Sequence, residues 1–404
     1  MRTLGLLSRL VLCLVLASAA YWSFRLAWAD YLFRTNRPEN IQRAAELVPF
    51  SALYQARAGN LKRAVELNPY LSSAWLELAF RAEAATNYEE AEGYLLRAAA
   101  VDQQFEPRWA LANFYFRRGK SEDFWRWIRL AAERSYGDRS AIYRLCSQMS
   151  ESPEEILAKG LPSDAAVRSG YLEYLLKQEQ LDAAVVVFSE ILQQASQVDL
   201  GVFLNLCERL LKAGRGVEGA TVWNAMIERG WLPYDLLYPK GSRWITNGRL
   251  EVEPSGKGFD WRLMWRAGVH SVWLGPLHQL LIELSGKQME QTDLLRQYVA
   301  ALPAGDYLFR YRYRTEGLPK RSGVRWQIWS LAQPANQLAC SEELSSAEWK
   351  AEELRFRLKR SESLVEVVLF YQRSPGTSRA AGRLRFEAAF DLQPVQPAVA
   401  VQRQ

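Results

Sequence analysis

Apolar positions along this chain follow three successive patterns. Residues 10–24 carry no charge, with Arg2 and Arg9 before the run and Arg25 after it. Extended over residues 4–7 and 26–29, the stretch reaches the ~20 residues that cross a bilayer. Tyr21, Trp22 and Trp28 then fall where an interfacial aromatic belt belongs. A cleaved leader fits the same residues, with a basic start, an apolar centre and the small residues Ala17-Ser18-Ala19. A buried core helix is the third reading. From residue 37 to 232 the apolar period is helical, and from 242 to 392 it alternates between turn signals as strands do. The expected architecture is therefore a multidomain α + β chain. It comprises a transmembrane signal anchor over 1–30, an α-solenoid over 37–232, an all-β sandwich over 242–392 and a disordered tail over 393–404, rich in Pro, Gln and Val.

The helical region repeats. Trp75 and Trp109 lie 34 residues apart, and so do Ala98 and Ala132. Each unit opens on an aromatic residue, carries a small residue about two turns later and closes on Ala. The segments Ala64 to Tyr70 (AVELNPY) and Ala44 to Phe50 (AAELVPF) read as ends of second helices broken by Pro69 and Pro49. This resembles the tetratricopeptide repeat (TPR), whose period is 34. Beyond Tyr136 the period blurs, but helices remain readable over 165–178, 181–195, 202–212 and 217–229. Ser152-Pro153-Glu154-Glu155 reads as a capping box with Pro in the first turn. One hairpin cannot bury its own apolar face, so such units stack, and the resemblance implies a concave surface for a protein partner. Phe114, Tyr115, Phe116, Arg117 and Arg118, followed by Phe124, Trp125 and Trp127, form an aromatic-basic cluster. It is either a ligand surface or core with a basic rim. Cys146 and Cys207 sit on apolar helix faces as small buried hydrophobes.

After Pro233 the period changes. Strand candidates fall at 249–252, 272–273, 280–284, 294–299, 307–313, 324–329, 352–358, 364–371 and 382–390, which suggests a jelly-roll sandwich. The stretch with Asn247-Gly248, Gly256, Gly258 and Trp261 resembles the first strand of galactose-binding-like carbohydrate-binding modules. Residues 295–317 and 345–359 resemble later strand pairs of that fold. The resemblance implies a fold and a glycan ligand as one option. Seven tryptophans lie in this part (Trp244, Trp261, Trp265, Trp273, Trp326, Trp329 and Trp349), available either to stack on sugar rings or to fill the core. Trp261 is the sugar-stacking candidate.

Charge sharpens the contrast between the parts. Residues 1–235 carry 27 basic and 28 acidic side chains, whereas residues 236–404 carry 24 and 17. Arginines alternate with apolar residues at Arg310, Arg312 and Arg314, at Arg355 and Arg357, and at Arg383 and Arg385. Strand alternation places each set on one face, as a basic stripe for an anionic ligand or as a solvated face paired with Glu352, Glu353 and Glu387. Nucleic acid is not expected as a partner of an exported chain.

Four widely spaced cysteines exclude a zinc cluster and a disulfide scaffold. His270 and His278, the only histidines, have no paired ligand set. No G-x-S-x-G, H-E-x-x-H or P-loop pattern occurs. The expectation is a chain without cofactor, metal or enzymatic activity.

In order and motif the chain resembles bacterial membrane-anchored TPR proteins of envelope and polysaccharide-assembly systems. That implies a single-pass inner-membrane protein with its bulk extracytoplasmic, or a secreted periplasmic one if the leader is cleaved. The basic residues flanking the apolar run on both sides leave the positive-inside rule undecided. Two functional readings follow. A scaffold holds a protein partner, and predicts a sandwich docked on its last helices with buried tryptophans. A glycan binder predicts an open groove with solvent-facing aromatic rings.

Overall fold

The computed structural model describes residues 2–194, 200–331 and 336–395. The chain separates into two compact units, Met1–Tyr174 and Leu175–Gln404. The first holds α1 (Arg2–Arg34), α2 (Pro38–Leu47), α3 (Ala52–Arg57), α4 (Leu61–Leu67), α5 (Ser72–Ala84), α6 (Tyr88–Val101), α7 (Phe105–Arg117), α8 (Ser121–Glu133), α9 (Ser140–Met149), α10 (Pro153–Glu155) and most of α11 (Ala165–Lys177). A single π turn, Ile156–Gly160, follows α10.

One backbone device makes the hairpins. Gly59, Thr86 and Gly119 take left-handed φ values of 88°, 60° and 65° just past α3, α5 and α7. The amide after each reaches back five residues: Asn60 N–H to Gln55 O, Asn87 N–H to Ala82 O, and Lys120 N–H to Tyr115 O. This is the Schellman turn, which uses carbonyls that a helix end otherwise leaves unpaired. The second unit repeats it at Glu179 and Gly214. Ala64, Ala98 and Ala132, spaced by 34, are essentially inaccessible, so a methyl side chain is what the helix crossing admits. Arg117 forms a two-pronged ion pair with Glu83, the residue one period earlier, at 2.9 and 2.8 Å. At α10, Ser152 caps as expected, accepting from Glu155 N–H at 3.2 Å. The box stays half closed because the Glu155 carboxylate takes the Ser150 hydroxyl at 2.6 Å.

The second unit carries α12 (Leu181–Gln194), α13 (Leu200–Lys212) and α14 (Gly216–Glu228), then β1 (Arg262–Leu263), β2 (Trp265–Arg266), β3 (Val269–Leu274), β4 (Gln279–Ser285), β5 (Gln291–Leu302), β6 (Gly305–Glu316), β7 (Val324–Ser330), β8 (Asn336–Cys340), β9 (Lys350–Leu358), β10 (Glu362–Gln372), β11 (Ala381–Glu387) and β12 (Asp391–Pro394). All named strand pairings are antiparallel. One sheet has the order β1-β5-β10-β7-β8. In the other, β2, β3, β4, β11 and β6 lie side by side, β12 continues along the β11 edge of β6, and β9 lies on its opposite edge. Between the sheets Trp261, Trp326, Phe309, Phe386 and Phe390 interlock.

Three expectations change. Residues 249–252 form a turn rather than a strand, because the Asn247 side chain donates to Val252 O at 2.8 Å and curls the backbone on itself. Gln393 and Pro394 belong to β12, paired with Leu308 and Tyr307, and not to a disordered tail; residues 396–404 lie outside the described residues. Helices α12–α14 belong with the sandwich. Ser363 of β10 accepts at Oγ from Gly216 N–H (3.0 Å) and donates to Gly214 O (3.1 Å). Trp223 of α14 is fully buried between Tyr234 and Phe259. An apolar helix face that needs covering is covered here by the sheet.

Candidate functional site

Strand alternation decides which side chains the five-stranded sheet turns outward. In β10, Val365, Val367, Leu369 and Tyr371 enter the sandwich core, so Glu366, Val368 and Phe370 face away. In β7, Val324, Trp326 and Ile328 point in, leaving Arg325, Gln327 and Trp329 outside. Register places these residues in rows: Tyr298, Glu366, Trp329 and Gln337, then Arg296, Val368 and Gln327.

Half of this outer face is covered. Arg262 of β1 reaches Glu208 of α13 at 2.9 Å, with both side chains mostly buried. It also donates to Gly256 O and Gly258 O, both at 2.8 Å, and lies 4.9 Å from the Tyr298 ring centre. Gly216 of α14 seals the Ser363 end. The β7–β8 half is left as an open groove of about 540 Å³, lined by Asp293, Gln327, Trp329, Gln337, Glu366 and Phe370.

The groove combines aromatic faces with planar polar groups. Trp329 is held by its own indole N–H, which donates to Gln327 Oε1 at 3.0 Å. Glu366 accepts from Arg296 at 3.4 Å, and burial pushes its carboxyl above the ordinary value, with Arg296 opposing. Asp293 flanks the same guanidinium at 3.9 Å. Amide and carboxylate oxygens beside a fixed indole can receive hydroxyl protons while an apolar ring face rests on the indole. The described residues contain no group of three or more His, Cys, Asp or Glu side chains arranged to hold a metal.

The residues singled out from sequence divide differently. Trp261 and Trp125 are corrections: Trp261 is 0% exposed in the sandwich core and Trp125 lies buried against Phe124, so neither can touch a ligand. The Trp125 ring packs so closely on Gly160 that a Cβ there would stand 2.8 Å from it. Arg117 is occupied by Glu83, and Arg118 lies 3.7 Å above the Tyr88 ring. The cluster around Phe114 is thus core with a basic rim. Arg310, Arg312, Arg314, Arg355 and Arg357 do share one face of the seven-stranded sheet, with acids interleaved. Arg310 meets Glu353 (2.9 Å), Arg312 meets Glu387 (2.7 Å), Arg314 meets Glu316 (3.1 Å) and Arg357 clasps Asp306 (2.6 Å). Arg355 is exposed beside them. Trp326 is core and Trp265 stands 77% exposed on β2.

Trp329 was not singled out from sequence, although a signal existed. Trp326 and Trp329 are three apart and must take opposite faces of one strand. Trp326 keeps company with Val324 and Ile328, Trp329 with Arg325 and Gln327.

No family model matches the chain, and no curated relative matches it. Similar solved structures fall on both parts. One is a CBM4 carbohydrate-binding module, at 14% identity over 37% of this chain and 99% of that one, TM-score 0.28. Another is YrrB, a TPR protein with an unusual peptide-binding site, at 13% identity over 42% of this chain and 91% of that one, TM-score 0.22. A third is TmCBM61 in complex with beta-1,4-galactotriose, at 21% identity over 33% of this chain and 88% of that one, TM-score 0.23. The fold rests on the turns and registers above. They define a TPR-like set of helical hairpins and a jelly-roll β-sandwich, with an N-terminal helix long and apolar enough to cross a membrane.

Proposed function

We propose that this protein is a non-enzymatic, membrane-anchored binding protein of the bacterial cell envelope. Its sandwich holds a glycan on the open half of the five-stranded sheet, and its helical hairpins hold a protein partner. In this reading it serves polysaccharide assembly or export from the extracytoplasmic side of the inner membrane. The observation that carries it is the groove at Trp329, where an anchored indole stands among amides and carboxylates and the docked helices stop short.

The groove chemistry favours a neutral glycan over an acidic one. Asp293 and Glu366 place two carboxyls around one guanidinium, a setting that accepts hydroxyl protons and repels uronates. Four of the five arginines that would suit an acidic polymer, on the other sheet, are matched by acids. The pure scaffold reading draws on the docked α13–α14 pair, which covers only part of the face.

The test is a glycan array with the full chain in detergent, followed by titration of the best neutral oligosaccharide against Trp329→Ala. Loss of one stacking platform is expected to weaken binding about tenfold, the equivalent of ~1.4 kcal/mol. Absence of binding to any glycan would sink the glycan assignment and leave the scaffold, whereas equal affinity in the variant would remove the ligand from the Trp329 groove.

A further inference from the structure

The anchor helix does not end where a bilayer would. At 1.5 Å per residue, the 33 residues of α1 extend about 50 Å, against about 30 Å of hydrocarbon. Its last turns are already the first helix of the first hairpin: Ala29 and Leu32 are buried against Ala44 and Val48. Arg25 marks the junction. Its Nε donates to Leu47 O at 2.7 Å, and its guanidinium lies 5.1 Å from the Trp22 ring centre. No linker separates the apolar run from the packed helices.

The opposite face of α1 is aromatic and uncovered. Phe24, Trp28 and Tyr31 follow at i, i+4 and i+7 and stack in sequence, with ring centres 6.5 and 5.4 Å apart. Phe24 is 71% exposed. The turn between α2 and α3 comes down to the same level, where Phe50 sits 6.1 Å from Trp22 and is 54% exposed beside exposed Leu53. Phe24 to Trp28 covers about 6 Å of helix axis, close to the depth of one headgroup layer.

We propose that this collar of Trp22, Phe24, Trp28, Phe50 and Leu53 lies in the headgroup layer of the leaflet from which α1 emerges. The first hairpin is then seated on the membrane rather than tethered above it. The inference rests on the reading of α1 as a membrane span. It follows from the collar's continuity with the apolar run, from the preference of Trp for the interface, and from Arg25, whose polar end is satisfied at that depth. A rigid seat would fix how the following hairpins face the bilayer.

The full chain, reconstituted in phosphatidylcholine/phosphatidylglycerol nanodiscs with exposed Cys13 and Cys340 changed to Ser, would carry a spin label at Leu16→Cys, Phe50→Cys, Leu53→Cys or Tyr136→Cys. Circular dichroism confirms folding of each. The expected result is a lipid-embedded label at 16, with labels at 50 and 53 several-fold less accessible to an aqueous nickel reagent than the label at 136. Labels at 50 and 53 as accessible as at 136, with 16 embedded, overturn the collar and leave the anchor. An accessible label at 16 overturns both. Shielding at 50 and 53 accompanied by dipolar coupling between copies overturns the lipid assignment in favour of self-association.

Discussion

Replacing Gly216 by Ala sets two effects of opposite sign against each other. Gly216 is the first residue of α14, and helix propensity alone favours Ala by up to about 1 kcal/mol. The structure argues the reverse. A Cβ at this position would lie 2.2 Å from the Ser363 carbonyl oxygen and 2.9 Å from Leu364 Cδ1. Since carbon and oxygen ordinarily approach to about 3.3 Å, helix and strand must separate by about 1 Å. Overpacking of this kind costs about 1–3 kcal/mol. The separation also stretches the bonds through Ser363 Oγ to Gly216 N–H and Gly214 O, each worth about 0.5–1.5 kcal/mol. The steric and hydrogen-bond costs outweigh propensity, so a net loss of about 2–4 kcal/mol is expected. Gly93 of α6 is the control: nothing stands within 4 Å of its would-be Cβ. There Ala should stabilise by about 0.5–1 kcal/mol. Urea unfolding of the full chain, followed by hydrogen exchange in α14 and β10 for one variant and in α6 for the other, reads the two separately. A neutral or stabilising Gly216→Ala would refute the claim that α14 is pressed onto the sheet.

Three further outcomes are expected. Thr86 holds a β-branched side chain at φ 60° in a turn where Gly59 and Gly119 serve the same role; Thr86→Gly should raise stability by about 1 kcal/mol in thermal melts, and a loss would contradict the strain argument. Arg310→Gln breaks the pair with half-exposed Glu353, so stability should change by less than about 0.5 kcal/mol with glycan affinity unaltered; a large fall in affinity would move the ligand to the basic face. Burial raises the folded Glu366 carboxyl above its ordinary 4.5. The unfolded carboxyl therefore ionises first, and wild-type stability falls relative to Glu366→Gln as pH rises from 4.5 through the higher folded value. Parallel urea midpoints for the two proteins between pH 4 and 8 would contradict that linkage.

Much of the fold was legible in residue order because its causes are local. Gly59, Gly119 and Gly214 are where a Schellman turn wants them, although Thr86 and Glu179 fill the same role with no such signature. Ala64, Ala98 and Ala132 announce the helix crossings at a fixed period. In β6 the alternation of Phe309, Tyr311 and Tyr313 with Arg310 and Arg312 states its two faces outright, and the structure keeps them. Burial pushes the Cys146 thiol up to about 12, in keeping with an inert core residue.

The candidate site was far less legible. Trp261 looked like a ligand platform because its neighbours are Gly-rich and polar, yet it fills the space between two sheets. The arginines on β6 and β9 read equally as a basic stripe or as a face paired with Glu352, Glu353 and Glu387, and residue order does not choose between them because the partners are distant: Glu353 is 43 residues from Arg310, and Glu387 is 75 from Arg312.

Periodicity, capping and alternation are settled by neighbours within about one turn or one strand, and there the sequence alone determined which helices pair and which side chains share a face. Coverage is settled by surfaces that meet across long separations. Only the tertiary structure decided that α13–α14 lie on the sandwich, because the contact between Gly216 and Ser363 joins residues 147 apart. The same docking left Trp329 in the open and closed the face around Tyr298. A strand pattern specifies two faces; which of them remains wet depends on what else the chain brings to it.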